Sequence, residues 1–327
     1  MDVLRAGPAQ TFEHTWRAMG SNAHLVVVGA DPSAVATARN RVARLESRWS
    51  RFIATSEVSQ ANAAPGVPML VSADTLRLAE RAAFAAAATG GWFDPLLARS
   101  MEDLGYDRDF SRVGTDPSEE ARGPVTRGRA HRSGVVSLGS SGVLQVDHVV
   151  GSVRVPIDAA LDPGGLGKGL AADMVVEELV AAGARGAMLN LGGDLAVAGT
   201  PPTEHGWIVG VEDPFDTARH CARVTIERGG VCTSSRFTRR WMHDGEAVHH
   251  LLDPTTRRPV ANDIAAVTVV AGAAWWAEVL TKVIFAAGVD IAARWCDDAH
   301  AYVVHLDGSV SIIGDADVFD RRRLPAG

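Results

Sequence analysis

The chain has only three cysteines, Cys221, Cys232 and Cys296, among 327 residues. An odd count without metal-ligand spacing excludes a disulfide framework and a thiolate metal knuckle, and the three read as buried, reduced thiols. Long apolar runs are missing as well: no stretch approaches the ~20 residues of a membrane span. The opening MDVLRAGPAQTFEHTW holds no apolar export core, so a cytoplasmic protein is the expectation. Positive charge is in short supply. With 32 Lys and Arg against 39 Asp and Glu the net charge is -7. That balance argues against a nucleic-acid partner or a lipid surface, and leaves room for a local basic pocket. There is no fixed-period repeat and no coiled-coil heptad.

Core-forming material is plentiful, since 46% of the residues are hydrophobic. The length fits one large unit over 1–327 built from intimate subdomains. Alternation marks a strand at His24–Val28. Asp31 and Pro32 then read as the N-cap and first position of a helix. ATSEVSQAN reads as a polar turn. A helix beginning at ADTLRLAER ends at Gly90 and Gly91. Residues 108–154 mix Gly, Ser and Arg with short β-prone pieces, Val135–Leu138 and Val143–Val146, and read as a hairpin excursion. Beyond it, Ala171, Val175, Leu179 and Ala182 share one helical face, with Gly183 as the stop. RGAMLNLGGD and GWIVGVEDP read as strands, and RVTIERGGVCTSSRF as strand, turn and strand. Val267–Val270 reads as a strand and Ala273–Ala287 as a helix ended by Gly288. AYVVHLDGSVSII is a hairpin over Asp307-Gly308. Strands paired through turns, interrupted by several long helices, make the expected class α+β with largely antiparallel or mixed sheets.

LDPGGLGKGLAAD, residues 161–173, surrounds one lysine with four glycines. It is neither a Walker loop nor a dinucleotide fingerprint. Asp162 stands where the first Walker glycine belongs, and Gly169 stands where a magnesium-holding hydroxyl belongs. Two readings stay open: a tight structural turn, or a helix N-terminus whose N–H groups and Lys168 receive an anion, most naturally a phosphate. Further polar clusters follow strand-like segments: NLGGD at 190–194, CTSSRF at 232–237 and HHLLDPTTRRP at 249–259. Polar groups gathered at strand ends are what a pocket requires.

Taken in order, these segments resemble the ApbE family, the FAD:protein FMN transferases. MGSNAHL, SRFIATSEVSQAN, GGWFDP, DPGGLGKGLAAD, NLGGD, CTSSRF and HHLLDPTTRRP each match a family motif, over roughly residues 15–290 apart from the excursion. The resemblance implies an ApbE-like α+β fold enclosing FAD. It also implies magnesium-dependent transfer of FMN to a Thr or Ser hydroxyl of an acceptor protein, with AMP released. Carried over by residue, it implies His250 as a base, with Lys168 and Asp194 also catalytic. Flavin and phosphate contacts would come from Met19, Ser56, Glu57, Asp94, Gly165, Lys168, Asp173, Asn190, Gly193, Thr233, Ser234, Arg257 and Lys282. An imidazole near its ordinary pKa of ~6.5 would suit a proton acceptor at neutral pH. His249 and His250 are adjacent, so in a strand only one can face the pocket.

The chain departs from the family on its late helix, AEVLTKV. Glu278 stands at the family's metal-binding Asp and Lys282 at its Thr. The resemblance therefore leaves a magnesium site of Gly167, Glu278 and Thr281, with Thr281 as a substitute ligand. It also leaves a contrary reading, in which the Lys282 ammonium replaces the ion and touches the diphosphate. The plain alternative is an i, i+4 surface ion pair. Arg257 replaces a turn glycine and would dislike a positive φ. Asp253 reads first as a turn former. Trp275 and Trp276 are core residues or ring-stacking partners.

Overall fold

The computed structural model describes residues 10–113 and 142–321. The Val135–Leu138 strand expectation, and most of the 108–154 excursion, lie outside those residues. The chain opens with β1 (Thr11–Ala18) and β2 (Ser21–Val28), a hairpin in full register from Thr11↔Val28 to Ala18↔Ser21. At its tip Met19 and Gly20 both take positive φ, 49° and 67°. That pattern belongs to a tight hairpin turn matched to strand twist, and a methionine in it is strained.

Helix α1 (Ser33–Trp49) follows, with its first turn held by a 2.9 Å bond from Ser33 N–H to Asp31 Oδ1. ATSEVSQAN is not an open turn. Ser56 accepts from Ser59 N–H at 3.0 Å and starts α2 (Glu57–Ala63), so Ser-x-x-Ser capping outweighs the segment's polarity. After β3 (Met69–Leu70) comes α3 (Ala73–Ala88), closed as expected at Gly90 and Gly91, and then α4 (Ala98–Asp103). The described residues of the excursion hold a 3-10 turn at Phe110–Arg112 and a small hairpin, β4 (Gln145–Asp147) with β5 (Ser152–Arg154), and β5 also pairs with β3.

The second half supplies α5 (Gly167–Ala181), β6 (Gly186–Leu191), β7 (Asp194–Gly199), β8 (Trp207–Asp213) and β9 (Asp216–Ile226). Then come β10 (Gly229–Ser235), β11 (Arg240–His243), β12 (Glu246–His249) and β13 (Ile264–Ala271). Helices α6 (Ala274–Ala287) and α7 (Val289–Ala292) lead to β14 (His300–His305), β15 (Val310–Ile313) and β16 (Phe319–Asp320).

Eight strands form one antiparallel sheet in the order β1-β2-β6-β7-β10-β13-β14-β15. Side-chain alternation builds a core on each face. On β6, Ala187, Leu189 and Leu191 enter the core shared with α1, α5 and α6. Met188 enters the core under the three-stranded sheet β16-β9-β8. Both faces being covered explains why these strands read as nearly unbroken apolar runs. The same packing corrects one helical expectation. Helix α5 buries residues all round, including Leu170, Ala172, Met174 and Val176, because it is wedged against the sheet, α1 and α6. Ala182 lies past its end and is exposed. Between β9 and β10 the chain leaves the small sheet for the large one, so those strands do not pair with each other. Cys232 and Cys296 are buried thiols as expected, while Cys221 on β9 is only half-buried.

Candidate functional site: a lysine-bearing cleft

The glycines of residues 164–169 serve different ends. Asp162 accepts from Gly164 N–H at 2.8 Å and starts a short turn. A Cβ at Gly165 would meet the Phe93 ring at 2.7 Å, so this backbone lies flat against an aromatic wall. Gly167 opens α5 and lines a cleft beside Lys168. The N-cap residue Leu166 offers no side-chain cap to this helix start. Gly169 is different: its Cβ would fall 2.6 Å from Ala274 O. It is a helix-packing glycine, and its N–H donates to Glu278 Oε2 at 2.7 Å. The structural reading therefore holds at Gly164 and Gly169, while Gly167 and Lys168 stand at the cleft.

Lys168 Nζ pairs with Asp194 Oδ2 and stands 3.5 Å from Glu278 Oε1. Lys282 Nζ approaches the same Glu278 oxygen at 3.4 Å. Glu278 has no solvent exposure, so its partners are not the surface pair of the plain reading. Burial opposes ionisation of Glu278. The two ammonium groups and the Gly169 N–H more than offset that, and its pKa is lowered. Burial lowers Lys168 to about 8, against the opposing pull of Glu278. Asp194 is buried, and its Oδ1 has no hydrogen-bond partner among the described residues.

The cleft's walls come from distant parts of the chain. Met19, Asp94, Gly165, Gly167, Lys168, His250 and Lys282 line it, as the sequence reading expected. Arg51, Tyr106 and Arg239 also line it, and sequence reasoning missed them. The Arg51 guanidinium lies 4.3 Å from the Phe52 ring centre and 4.6 Å from that of Tyr106. Arg239 donates to the Tyr106 hydroxyl at 3.0 Å. Arg51 directly follows the matched Ser50, and Arg239 and Tyr106 belong to no motif, so only Arg51 carried a usable signal. His250, not His249, faces the cleft; the buried His249 ring lies against Val260 O at 3.3 Å. The expected near-neutral pKa of His250 is corrected. Burial, then the Arg239 guanidinium, pushes it well below 6.5, and its Nδ1 is enclosed without a partner among the described residues. Burial raises the Asp94 carboxyl, with Arg257 pulling the other way.

Other expected contacts sit behind the cleft wall. Ser56 caps α2 and donates to Ser50 O at 2.6 Å, while Glu57 accepts from the Ser72 hydroxyl at 2.7 Å. Asp173 accepts from Ala274 and Trp275 N–H, both at 2.9 Å, which anchors the start of α6. Burial raises that carboxyl to about 6. Asn190 Oδ1 holds Gly193 N–H at 2.8 Å. Thr233 pairs with Thr268, and Ser234 with Thr281. Trp275 and Trp276 cluster with the exposed Phe84, away from the cleft lining. Asp253 is the expected turn former, accepting from Thr255 N–H at 2.7 Å. Arg257 occupies the positive-φ position of that turn at 56°. Arg257→Gly is expected to stabilise the fold by up to about 1 kcal/mol through relief of the left-handed backbone, read as a higher melting temperature.

The donor set does not fit magnesium. Both Glu278 oxygens are held, one by Gly169 N–H and one by two ammonium groups. Thr281 Oγ1 is shared between Ser234 Oγ and Glu278 O, each at 2.7 Å. Asp194 Oδ2 is taken by Lys168. A dication wants several free oxygens and repels two neighbouring ammonium groups. Among the described residues no three His, Cys, Asp or Glu side chains form a metal-holding group.

A covered antiparallel sheet, a glycine-opened helix and a cationic, aromatic-walled cleft define an α+β protein with a built pocket among its described residues. The sequence profile described as the ApbE family matches residues 19–306, and the chain belongs to that family. It is 29% identical over 247 residues to an FAD:protein FMN transferase of Treponema pallidum, covering 72% of this chain and 66% of that protein. It is 32% identical over 131 residues to an FAD:protein FMN transferase of Klebsiella pneumoniae, covering 40% of each. The chain thus spans less than two thirds of the length of these relatives. The crystal structure of the ApbE protein from Thermotoga maritima superposes with a TM-score of 0.79 at 24% identity, over 96% of this chain and all 100% of that one. That likeness shows the fold, and no helix among the described residues is long and apolar enough to cross a membrane.

Proposed function

We propose that this chain transfers FMN from FAD to a threonine or serine hydroxyl of an acceptor protein, releasing AMP. The observation that carries the reading is the pair of lysines, Lys168 and Lys282, bracketing buried Glu278 at the mouth of α5. Relatives named FAD:protein FMN transferase support it. The acceptor oxygen attacks the phosphorus of the FMN half. The bond from that phosphorus to the bridging oxygen breaks, and AMP departs with the electron pair. His250 takes the hydroxyl proton. Lys168 and Lys282 offset charge that grows on the departing phosphate, and the N–H groups of Gly167 and Lys168 at the start of α5 orient the diphosphate. Asp194 holds Lys168 in place. The aromatic wall of Phe93, Tyr106 and their neighbours receives a ring.

The test follows AMP from FAD with and without a cell extract supplying acceptor proteins, alongside in-gel flavin fluorescence. Acceptor-dependent AMP with a fluorescent protein band is expected. AMP without acceptor would mean pyrophosphate hydrolysis, and bound FAD without AMP would mean a binding protein.

The pH profile is a second check. Activity needs His250 neutral and Lys168 protonated. With the imidazole held well below 6.5, kcat/KM should not fall as pH drops through 6.5. With Lys168 at about 8, kcat/KM should decline above that pH. An acid limb centred near 6.5 would contradict the lowered pKa of the buried imidazole.

A further inference from the structure

We infer that Lys282 stands in for a divalent cation, so that the cleft binds FAD without any metal. The inference rests on the FMN-transfer reading for the identity of the ligand and goes beyond it in the ion economy of the site.

Four observations converge. The two carboxylates of the cluster are already matched: Asp194 and Glu278 face Lys168 and Lys282, and the Arg239 guanidinium adds further positive charge to the cleft. The side-chain oxygens of Glu278 and Thr281 are committed. Thr281, the hydroxyl residue of the expected metal set, is turned into the core, with no exposed surface, and bonds Ser234 and its own helix backbone. Lys282 nevertheless lines the cleft, with 19% of its side chain exposed beside the helix start where a diphosphate would lie. Among the described residues Asp194 Oδ1 is the one buried side-chain oxygen without a partner, and a single oxygen next to an ammonium group does not hold a hard dication.

The geometry also shows how the lysine is held. Glu278 is pinned by Gly169 N–H at 2.7 Å, across the α5–α6 contact. Its other oxygen positions both ammonium groups from one point. The two cations are therefore fixed before a ligand arrives. Their mutual repulsion is relieved further when a diphosphate enters, which is the service a metal ion would otherwise provide.

The experiment is isothermal titration of FAD into the protein stripped with EDTA and into the same protein in millimolar magnesium. Magnesium alone is titrated into the ligand-free protein as well. Equal FAD affinity in the two conditions and no heat from magnesium alone are expected. Lys282→Met should lose about ten-fold or more in FAD affinity in EDTA, and Lys282→Arg should retain most of it. Thermal melts establish that both variants are folded. Loss of FAD binding on chelation, with return in magnesium, would overturn the inference and leave the FMN-transfer reading standing. Parent-like affinity of folded Lys282→Met would overturn it too. No FAD binding by the parent protein under either condition would overturn both.

Discussion

Lys168→Ala is expected to lower FMN transfer by about 10²–10³-fold, the usual cost of removing one preorganised charge at a reacting phosphate. The variant should also be less stable. Asp194 is 1% exposed and has Lys168 on one oxygen and nothing among the described residues on the other. Deleting the ammonium leaves a buried carboxylate without its counter-charge, a change that costs about 3–5 kcal/mol. The two effects separate in a double variant. Lys168→Ala with Asp194→Asn removes both charges, so denaturant melts should recover much of the stability. AMP release should stay low, because the cation is still missing. Parent-like turnover in Lys168→Ala would show that the lysine is a structural counter-ion and nothing more.

Gly169→Ala is expected to be the most damaging single methyl in the glycine-lysine stretch. Its Cβ would lie 2.6 Å from Ala274 O, 2.7 Å from Ala274 C and 2.9 Å from Trp275 Cα. These are backbone atoms at the start of a helix that is packed on the sheet, and they cannot swing aside. Overpacking of this kind costs roughly 1–3 kcal/mol, occasionally more. The strain would fall on the Asp173 bonds to Ala274 and Trp275 N–H, and on the Gly169 bond to Glu278. FAD affinity should fall together with melting temperature, because Glu278 positions both lysines. Gly164→Ala is the control. Its nearest neighbour would be the Asp162 carboxylate at 3.0 Å, at an exposed turn, and little change is expected. Equal behaviour of the two variants would contradict the packing role given to Gly169.

Much of the fold could be read from local pattern. Period-2 and period-3.6 spacing located most strands and the long helices. Asp31, Gly90, Gly91 and Asp307-Gly308 marked ends and turns through side-chain and backbone preferences that act within a few residues. Strand β1 escaped because its burial alternates between exposed and half-buried positions, with little apolar contrast. Helix α2 escaped because polar composition masked a capping signal. For the site, motif order supplied Lys168, Asp194, His250 and the unusual Glu278–Lys282 pair.

What the amino-acid sequence determined by itself was most of the longer elements, the α+β class, the family and a lysine set among glycines. Only the tertiary structure decided which glycine lines the cleft and which serves packing, that His250 faces the cleft while His249 does not, and that Arg51, Tyr106 and Arg239 share its wall. The reason is range. Capping, turn formation and amphipathic spacing are set by near neighbours along the chain, whereas a cleft is made where residues 51, 106, 168, 239, 250 and 282 are brought together by sheet order and helix packing. The ionic character of Lys168 and His250 depends on burial, and burial exists only once those elements have closed around them.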